Sequence, residues 1–180
     1  AAVHAPSGKN LQTWHFVVVR NKAMIQRMVK AVEEKHTALL PFFADEEKKQ
    51  AFKGSVGYHT IFKNAPAVVL VYAGPYPTAA DDLTAGKGLT EKQIDELRQA
   101  KPGIQNIAAA LQNFHLAAAA IGYGTCWMTG PTYAGPEISE LIGFQKDGYF
   151  LAAITPLGIP AGGGASPARK PLAEVLTVID

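Results

Sequence analysis

The sequence predicts one domain of the α/β or α+β class, a sheet with helices on both faces. Two observations carry this expectation. Short buried-strand runs alternate with segments of helical period, and one long Ala-rich helix joins the two halves of the pattern. The length of 180 residues and the 48% hydrophobic content suit a single domain over 1–180 with its own core.

Residues 15–20 (His15-Phe16-Val17-Val18-Val19-Arg20) read as a buried strand, being aromatic and β-branched almost throughout. Asn21 is a suitable N-cap for a helix over 22–36, whose Met24, Ile25, Met28, Val29 and Val32 form one apolar stripe. A charged helix is predicted over about 44–53. Val68-Val69-Leu70-Val71-Tyr72 is a second buried strand, introduced by Ala65-Pro66. Residues 74–103 turn to Gly, Pro, Thr and charge, with a helical patch over 90–100. Thr90 and Gln93 have capping-box spacing, and the whole stretch reads as a surface excursion placed like a lid.

From Gly103 to about Ile121 the Ala, Leu, Ile and Phe side chains fall on almost every face. This predicts a long helix buried nearly all round, against other helices or a second copy of the chain. It stops at Gly122-Tyr123-Gly124, either glycine suiting a left-handed cap. A strand over Thr125-Cys126-Trp127-Met128, a short helix over 136–142 and a core strand over about 149–155 follow. Gly158 to Asp180 is a Gly- and Pro-rich arm with a small strand over Val175 to Ile179.

Several function classes lack support. Seventeen basic against 15 acidic residues give a net charge of +2, which offers no field for nucleic acid. The apolar stretch from Ile107 to Tyr123 is interrupted by Gln112, Asn113 and His115, and no segment reads as a membrane span or a signal peptide. Cys126 stands alone, so no disulfide can form within the chain, and its usage fits a reducing compartment; the expected location is cytoplasmic. The chain opens without Met in Ala1-Ala2-Val3-His4-Ala5, which reads as the last turn of a helix and predicts further residues before Ala1.

Protein-borne chemistry is sparse. His4, His15, His36, His59 and His115 are scattered without ligand spacing, so no metal site is expected. Cys126 in an apolar strand reads as a small core residue, and Ser7 lacks the strand-turn-helix setting of a hydrolase nucleophile. Neither a Gly-x-Gly-x-x-Gly after a strand nor a P-loop is present. What remains is the word Ala5-Pro6-Ser7-Gly8-Lys9-Asn10-Leu11-Gln12-Thr13-Trp14, a polar loop fixed to the first strand. Pro-Ser-Gly alone is only a loop before a strand. A rigid polar loop in a chain without an acid, base or nucleophile cluster points to a bound cofactor.

Three separated words resemble the nitroreductase family of flavin mononucleotide (FMN) enzymes. The first is Ala5–Trp14. The second runs from Leu116 through Gly122-Tyr123-Gly124 to Thr129-Gly130-Pro131. The third is Leu157-Gly158-Ile159-Pro160 followed by Pro167-Ala168-Arg169-Lys170-Pro171-Leu172-Ala173-Glu174-Val175. The resemblance implies an α+β fold in αβα layers, with a mixed, mostly antiparallel sheet, a long buried central helix and an extended C-terminal arm. It implies a homodimer with flavin at the subunit interface, and an oxidoreductase (a nitroreductase-like flavoprotein). Such an enzyme takes reducing equivalents from NADH or NADPH through flavin N5 to a nitroaromatic, quinone or similar small planar acceptor, by a ping-pong mechanism. No side chain need be catalytic.

By the same resemblance Pro6, Ser7, Gly8 and Asn10 approach the flavin from the partner subunit. Gln12 serves equally well as a flavin contact or as an amide stapling the loop. Met128, Thr129 and Gly130 place backbone N–H groups near flavin N5 and O4, and Arg169, with Lys170 beside it, meets the phosphate. Trp14 and His115 read as core residues. The chain departs from the family at two points. Thr129 stands where an acidic residue is common, and nothing in residues 1–20 matches the usual Arg-x-Ser-x-Arg segment, which either lies upstream of Ala1 or is lacking, in which case flavin affinity is expected to be low. Relatives of the family dehalogenate, oxidise azolines or consume the flavin. A protein that only binds or sequesters flavin is the other alternative.

Overall fold

The computed structural model describes residues 1–83, 88–162 and 167–179. Its elements are β1 (Trp14–Val19), α1 (Lys22–Leu39), α2 (Glu46–Gly54), α3 (Val56–His59), β2 (Ala67–Ala73), α4 (Glu91–Arg98), α5 (Pro102–Ala120), β3 (Gly124–Thr125), α6 (Gly135–Leu141) and β4 (Phe150–Gly158). The strands form one sheet in the order β1-β2-β4-β3. The expected mixed, mostly antiparallel sheet is antiparallel at each of its pairings.

Strand β2 is central and buried on both faces, as its unbroken run of Val, Leu and Tyr requires. Val68, Leu70 and Tyr72 face a cluster with Ile25, Met28 and Val32 of α1, Phe62, and Ile138 of α6. Val69, Val71 and Ala73 face a second cluster with Ile107, Ala110 and Leu111 of α5, joined by Ala5 and Trp14. The result is the three-layer αβα arrangement. Trp14 is a core residue, as expected.

Local chemistry explains the helix ends. The Asn21 side chain accepts from the Met24 N–H at 3.0 Å and caps α1. Asn21→Ala is expected to cost about 1 kcal/mol, read as a lower urea midpoint with an unchanged slope. The capping box on α4 forms as its spacing predicts. The Gln93 N–H donates to Thr90 Oγ1 at 3.3 Å, and the Thr90 N–H donates to Gln93 Oε1 at 2.9 Å. Helix α5 ends in a Schellman pattern, with Tyr123 N–H to Ala118 O at 2.9 Å and Gly122 N–H to Ala119 O at 3.1 Å. Gly122, at φ 85°, is the left-handed cap.

Four expectations differ from the structure. The strand over 125–128 is paired only at Gly124–Thr125 and again at an isolated bridge between Met128 and Ile154. The register sets Cys126 opposite Pro156, which has no N–H to donate, so the ladder breaks there. The last core strand extends to Gly158 rather than stopping near 155. No strand forms over 175–179; the arm is a single turn at Leu172–Glu174 and otherwise irregular, because no neighbouring strand edge of this chain reaches it. Helix α5 is buried on one face in a single chain, through Asn106, Ile107, Ala110, Leu111 and Ala118, while Leu116 stays 60% exposed beyond it. At the chain start, Ala2–His4 is a short 3-10 turn packed on α5.

Candidate functional site

The loop before β1 is wound tightly. Lys9 (φ 56°), Asn10 (φ 52°) and Gln12 (φ 47°) all lie in the left-handed region that non-glycine residues avoid. Such strain costs on the order of 1–3 kcal/mol per residue and persists only where the surroundings impose it. Here the Ser7 hydroxyl accepts the Gln12 N–H at 2.7 Å, the Gln12 amide donates to Asn10 Oδ1 at 3.0 Å, and Lys9 Nζ donates to Pro77 O at 3.0 Å. Gln12 therefore staples the loop. Gly8 is held by two neighbours. Its N–H donates to Asn106 Oδ1 at 3.2 Å, and a Cβ on it would collide with the Tyr76 hydroxyl.

Asn106, on the buried face of α5, was not singled out by sequence. The available signal was a polar residue one position before Ile107 on an otherwise Ala- and Ile-lined face. Its Nδ2 is buried without a partner. Pro6, Gly8, Asn10 and Gln12 are exposed, so the loop offers its polar atoms outward.

The strand end at Met128 is built differently. The Met128 side chain enters the core cluster on the α1 face, and its N–H and C=O are both spent on Ile154, at 3.0 and 2.9 Å. Thr129 and Gly130 follow as the exposed entry to a 3-10 turn, Gly130–Ala134. Their N–H groups carry no hydrogen bond among the described residues, as the first donors of a helical turn must unless something caps them. The Cα side of Gly130 is covered. A Cβ there would lie 2.5 Å from Cδ2 and 2.6 Å from Nε2 of His59.

The loop and the strand end are not brought together within one chain. The loop is anchored by Ala5 and Trp14 on the α5 face of the sheet, and the strand end by Met128 on the α1 face. Arg169 and Lys170 are on the exposed arm, where among the described residues Arg169 donates only to the Pro167 carbonyl at 3.4 Å. Residues 163–166, between the two parts of the third word, lie outside the described residues. The described parts of the excursion, 74–83 and 88–103, pack through Ala80 and Ile94, while residues 84–87 lie outside the described residues. It borders a cavity of about 370 Å3 lined by Tyr76, Leu97, Arg98, Lys101, Ile104 and Phe150, among others.

His115 is partly satisfied, through Nδ1 to Thr125 Oγ1 at 3.0 Å, and burial holds it below the ordinary histidine range. Burial, with a contribution from His36, does the same to His59. In the unfolded chain both titrate near 6.5. Above that pH both states are neutral. Below it the unfolded chain takes up protons that the folded chain refuses, so stability is lost as pH falls from 6.5 toward the folded values. Thermal melts are expected to show a lower Tm at pH 5.5 than at 7.5; equal values would remove the linkage. Among the described residues no group of three or more His, Cys, Asp and Glu is gathered for a metal, and no helix is long and apolar enough to cross a membrane.

A sequence model of the family described as "Nitroreductase family" matches residues 1–159. The chain belongs to the nitroreductase family. Among curated proteins of similar sequence, a Cr(VI) reductase of Pseudomonas sp. (strain G-1) is 35% identical over 74 residues, 41% of this chain and 30% of that protein. A putative NADH dehydrogenase/NAD(P)H nitroreductase of Archaeoglobus fulgidus is 26% identical, over 89% of this chain and 68% of its own length. Among solved structures, a BluB-like flavoprotein from Clostridium difficile 630 is 36% identical with a TM-score of 0.89, covering 100% of this chain and 85% of that one. A nitroreductase with bound FMN from Desulfitobacterium hafniense shares the fold at 22% identity and a TM-score of 0.65, covering 100% of this chain and 82% of that one. The strained loop, the open strand end and the arm are thus features of a nitroreductase-family chain.

Proposed function

We propose that the protein is an FMN-dependent oxidoreductase working as a homodimer. The observation that carries this is the pair of N–H donors at Thr129 and Gly130, unpaired among the described residues and without a side chain at Gly130, at the strand end that matches the family word. Flavin mononucleotide, when bound, carries reducing equivalents from NADH or NADPH through its N5 to a planar acceptor such as a nitroaromatic or quinone, one after the other at the same site.

The residues present fit that group. Gly130 would admit a planar ring close to the backbone, and its N–H with that of Thr129 would hold the ring's edge by donating to it. This donation does not need the acidic side chain that Thr129 replaces. Pro6, Ser7, Gly8 and Asn10 present an exposed, pre-wound loop whose amide and hydroxyl groups both donate and accept. Gln12 holds that loop in shape. Arg169, with Lys170, supplies the planar and point cations for the phosphate. Residues 74–103 border the cavity that shapes acceptor choice.

Two copies explain what one chain leaves undone. The loop of one copy meets the strand end of the other, since each chain sets them over opposite sheet faces. Leu116 of α5 and Ile121 just after it find cover, as do Leu172, Val175 and Val178 of the arm, each more than half exposed in the single chain. Light scattering behind gel filtration is expected to give twice the mass of the chain; a monomer would remove the shared site.

A second reading, that flavin is held or consumed with little turnover, starts from the likeness at 36% identity to a protein named a BluB-like flavoprotein, a name that carries no electron acceptor. One experiment separates the two. Absorbance spectra are taken of the protein loaded with FMN and freed of excess, before and after anaerobic NADH and NADPH. Bleaching supports the oxidoreductase, a bound flavin that stays oxidised supports the second reading, and absence of bound flavin overturns both.

A further inference from the structure

Behind Gly130 lies a cluster of rings for which the proposed chemistry has no use. His36 from the last turns of α1, Phe52 from α2, His59 at the end of α3 and Tyr133 from the turn after the strand end meet there. The Tyr133 hydroxyl lies 3.1 Å from Nδ1 of His36 and 3.1 Å from Nδ1 of His59, with the Val32 carbonyl at 3.5 Å. His36 is 3% exposed and stacks on Phe52 at 4.1 Å between centroids, with 11° between the rings. Its Nε2 is buried with no partner.

A direction for the hydrogen bonds is assigned from these contacts, since the histidine tautomers set which atom donates. A buried N–H without an acceptor is rarer in folded proteins than an acceptor left unused. The orphan Nε2 of His36 is therefore the bare nitrogen, and the proton of His36 sits on Nδ1. That N–H donates to the Tyr133 oxygen. The Tyr133 hydroxyl has two acceptors within reach, the Val32 carbonyl at 3.5 Å and Nδ1 of His59 at 3.1 Å; the shorter contact assigns its proton to His59, which then carries its own proton on Nε2. The Cδ2–Nε2 edge of His59 is the edge that covers Gly130.

We propose that His36, Tyr133 and His59 form a directed hydrogen-bond relay that sets the ring of His59, with its Nε2–H, against the backbone of Gly130. His59 is thereby a positioning residue of the Thr129–Gly130 donor pair, a role that rests on the reading of that strand end as the flavin site. The rings packed on His59 are His36 from α1, Phe52 from α2 and Tyr133 from the strand-end turn; among the described residues His36 is the titratable group that bears on its charge, and Tyr133 is held neutral by burial, pushed up to about 12. On acidification a proton from solvent adds to Nδ1 of the half-buried His59. The Tyr133 hydroxyl turns to the Val32 carbonyl and accepts from both imidazoles. Positive charge then stands against the two donors.

The test is histidine ring 15N NMR on the whole chain between pH 5 and 8, with and without FMN. At pH 7.5 His59 is expected as the Nε2–H tautomer and His36 as the Nδ1–H tautomer. Added FMN is expected to shift the His59 ring signals. In Tyr133→Phe the fixed His36 tautomer is expected to be lost, and the pH profile of flavin reduction to move together with the His59 midpoint. His59 found as the Nδ1–H tautomer overturns the relay. FMN bound with the His59 signals unmoved overturns the positioning role. If FMN does not bind, the flavin reading fails separately and the wild-type tautomers, which need no variant, still decide the relay.

Discussion

Gly130→Val is expected to destabilise the fold and to weaken FMN binding through the same collision. The new Cβ would sit 2.5 Å from His59 Cδ2, a distance that packed side chains do not adopt. His59 cannot simply swing away, because Nδ1 is tied to Tyr133 and the ring is packed against Phe52 and His36. Overpacking of this kind costs about 1–3 kcal/mol. It would show as a lower urea midpoint and, through displaced Thr129 and Gly130 N–H groups, as a raised Kd for FMN. The structure thus moves the cause: the glycine makes room for His59 on one side as well as for a cofactor on the other. A double-mutant cycle with His59→Ala isolates the contact. Removing the ring is expected to cancel most of the stability cost of the valine. Full additivity would show that His59 is not what the valine meets.

The elements that were legible in the sequence are those whose reasons are local. Asn21, the Thr90–Gln93 pair and Gly122 each place a helix boundary by a hydrogen bond within a few residues, and all three form. The β-branched run of β2 declared burial on both faces. What failed depends on partners distant in sequence. The pairing of 125–128 is broken by Pro156, thirty residues on, and no spacing within the segment reveals that. Val175 to Ile179 reads as a small strand, but a strand needs an edge to pair with, and among the described residues neither edge of the sheet, β1 or β3, pairs with it. The site divides in the same way. The loop and the strand end announced themselves as words, whereas Asn106 beneath Gly8 and His59 beneath Gly130 are single residues on other helices, visible only once the chain is folded. The orphan amide of Asn106 and the unpaired donors at Thr129 and Gly130 are places where local rules are left unsatisfied, which is where function is to be sought.

Arg169→Ala is expected to weaken FMN binding by about 1.5–3 kcal/mol, the range for a hydrogen bond to a charged group, or roughly tenfold to 150-fold in Kd. This guanidinium is exposed and, among the described residues, bonded only to the carbonyl of Pro167, two residues away on the same irregular arm, so its loss should leave the stability of the chain within about 0.5 kcal/mol. An effect on cofactor binding without an effect on folding therefore has one explanation, contact with the cofactor. Riboflavin sharpens the test, because it keeps the ring and lacks the phosphate. If Arg169 meets the phosphate, the substitution raises the Kd for FMN and leaves that for riboflavin unchanged, and Arg169→Lys recovers part of the loss by charge without the planar fork. Equal weakening of both flavins would place Arg169 near the ring instead. An unchanged FMN titration would take the arm out of the site, and its apolar residues would then serve the contact between subunits alone.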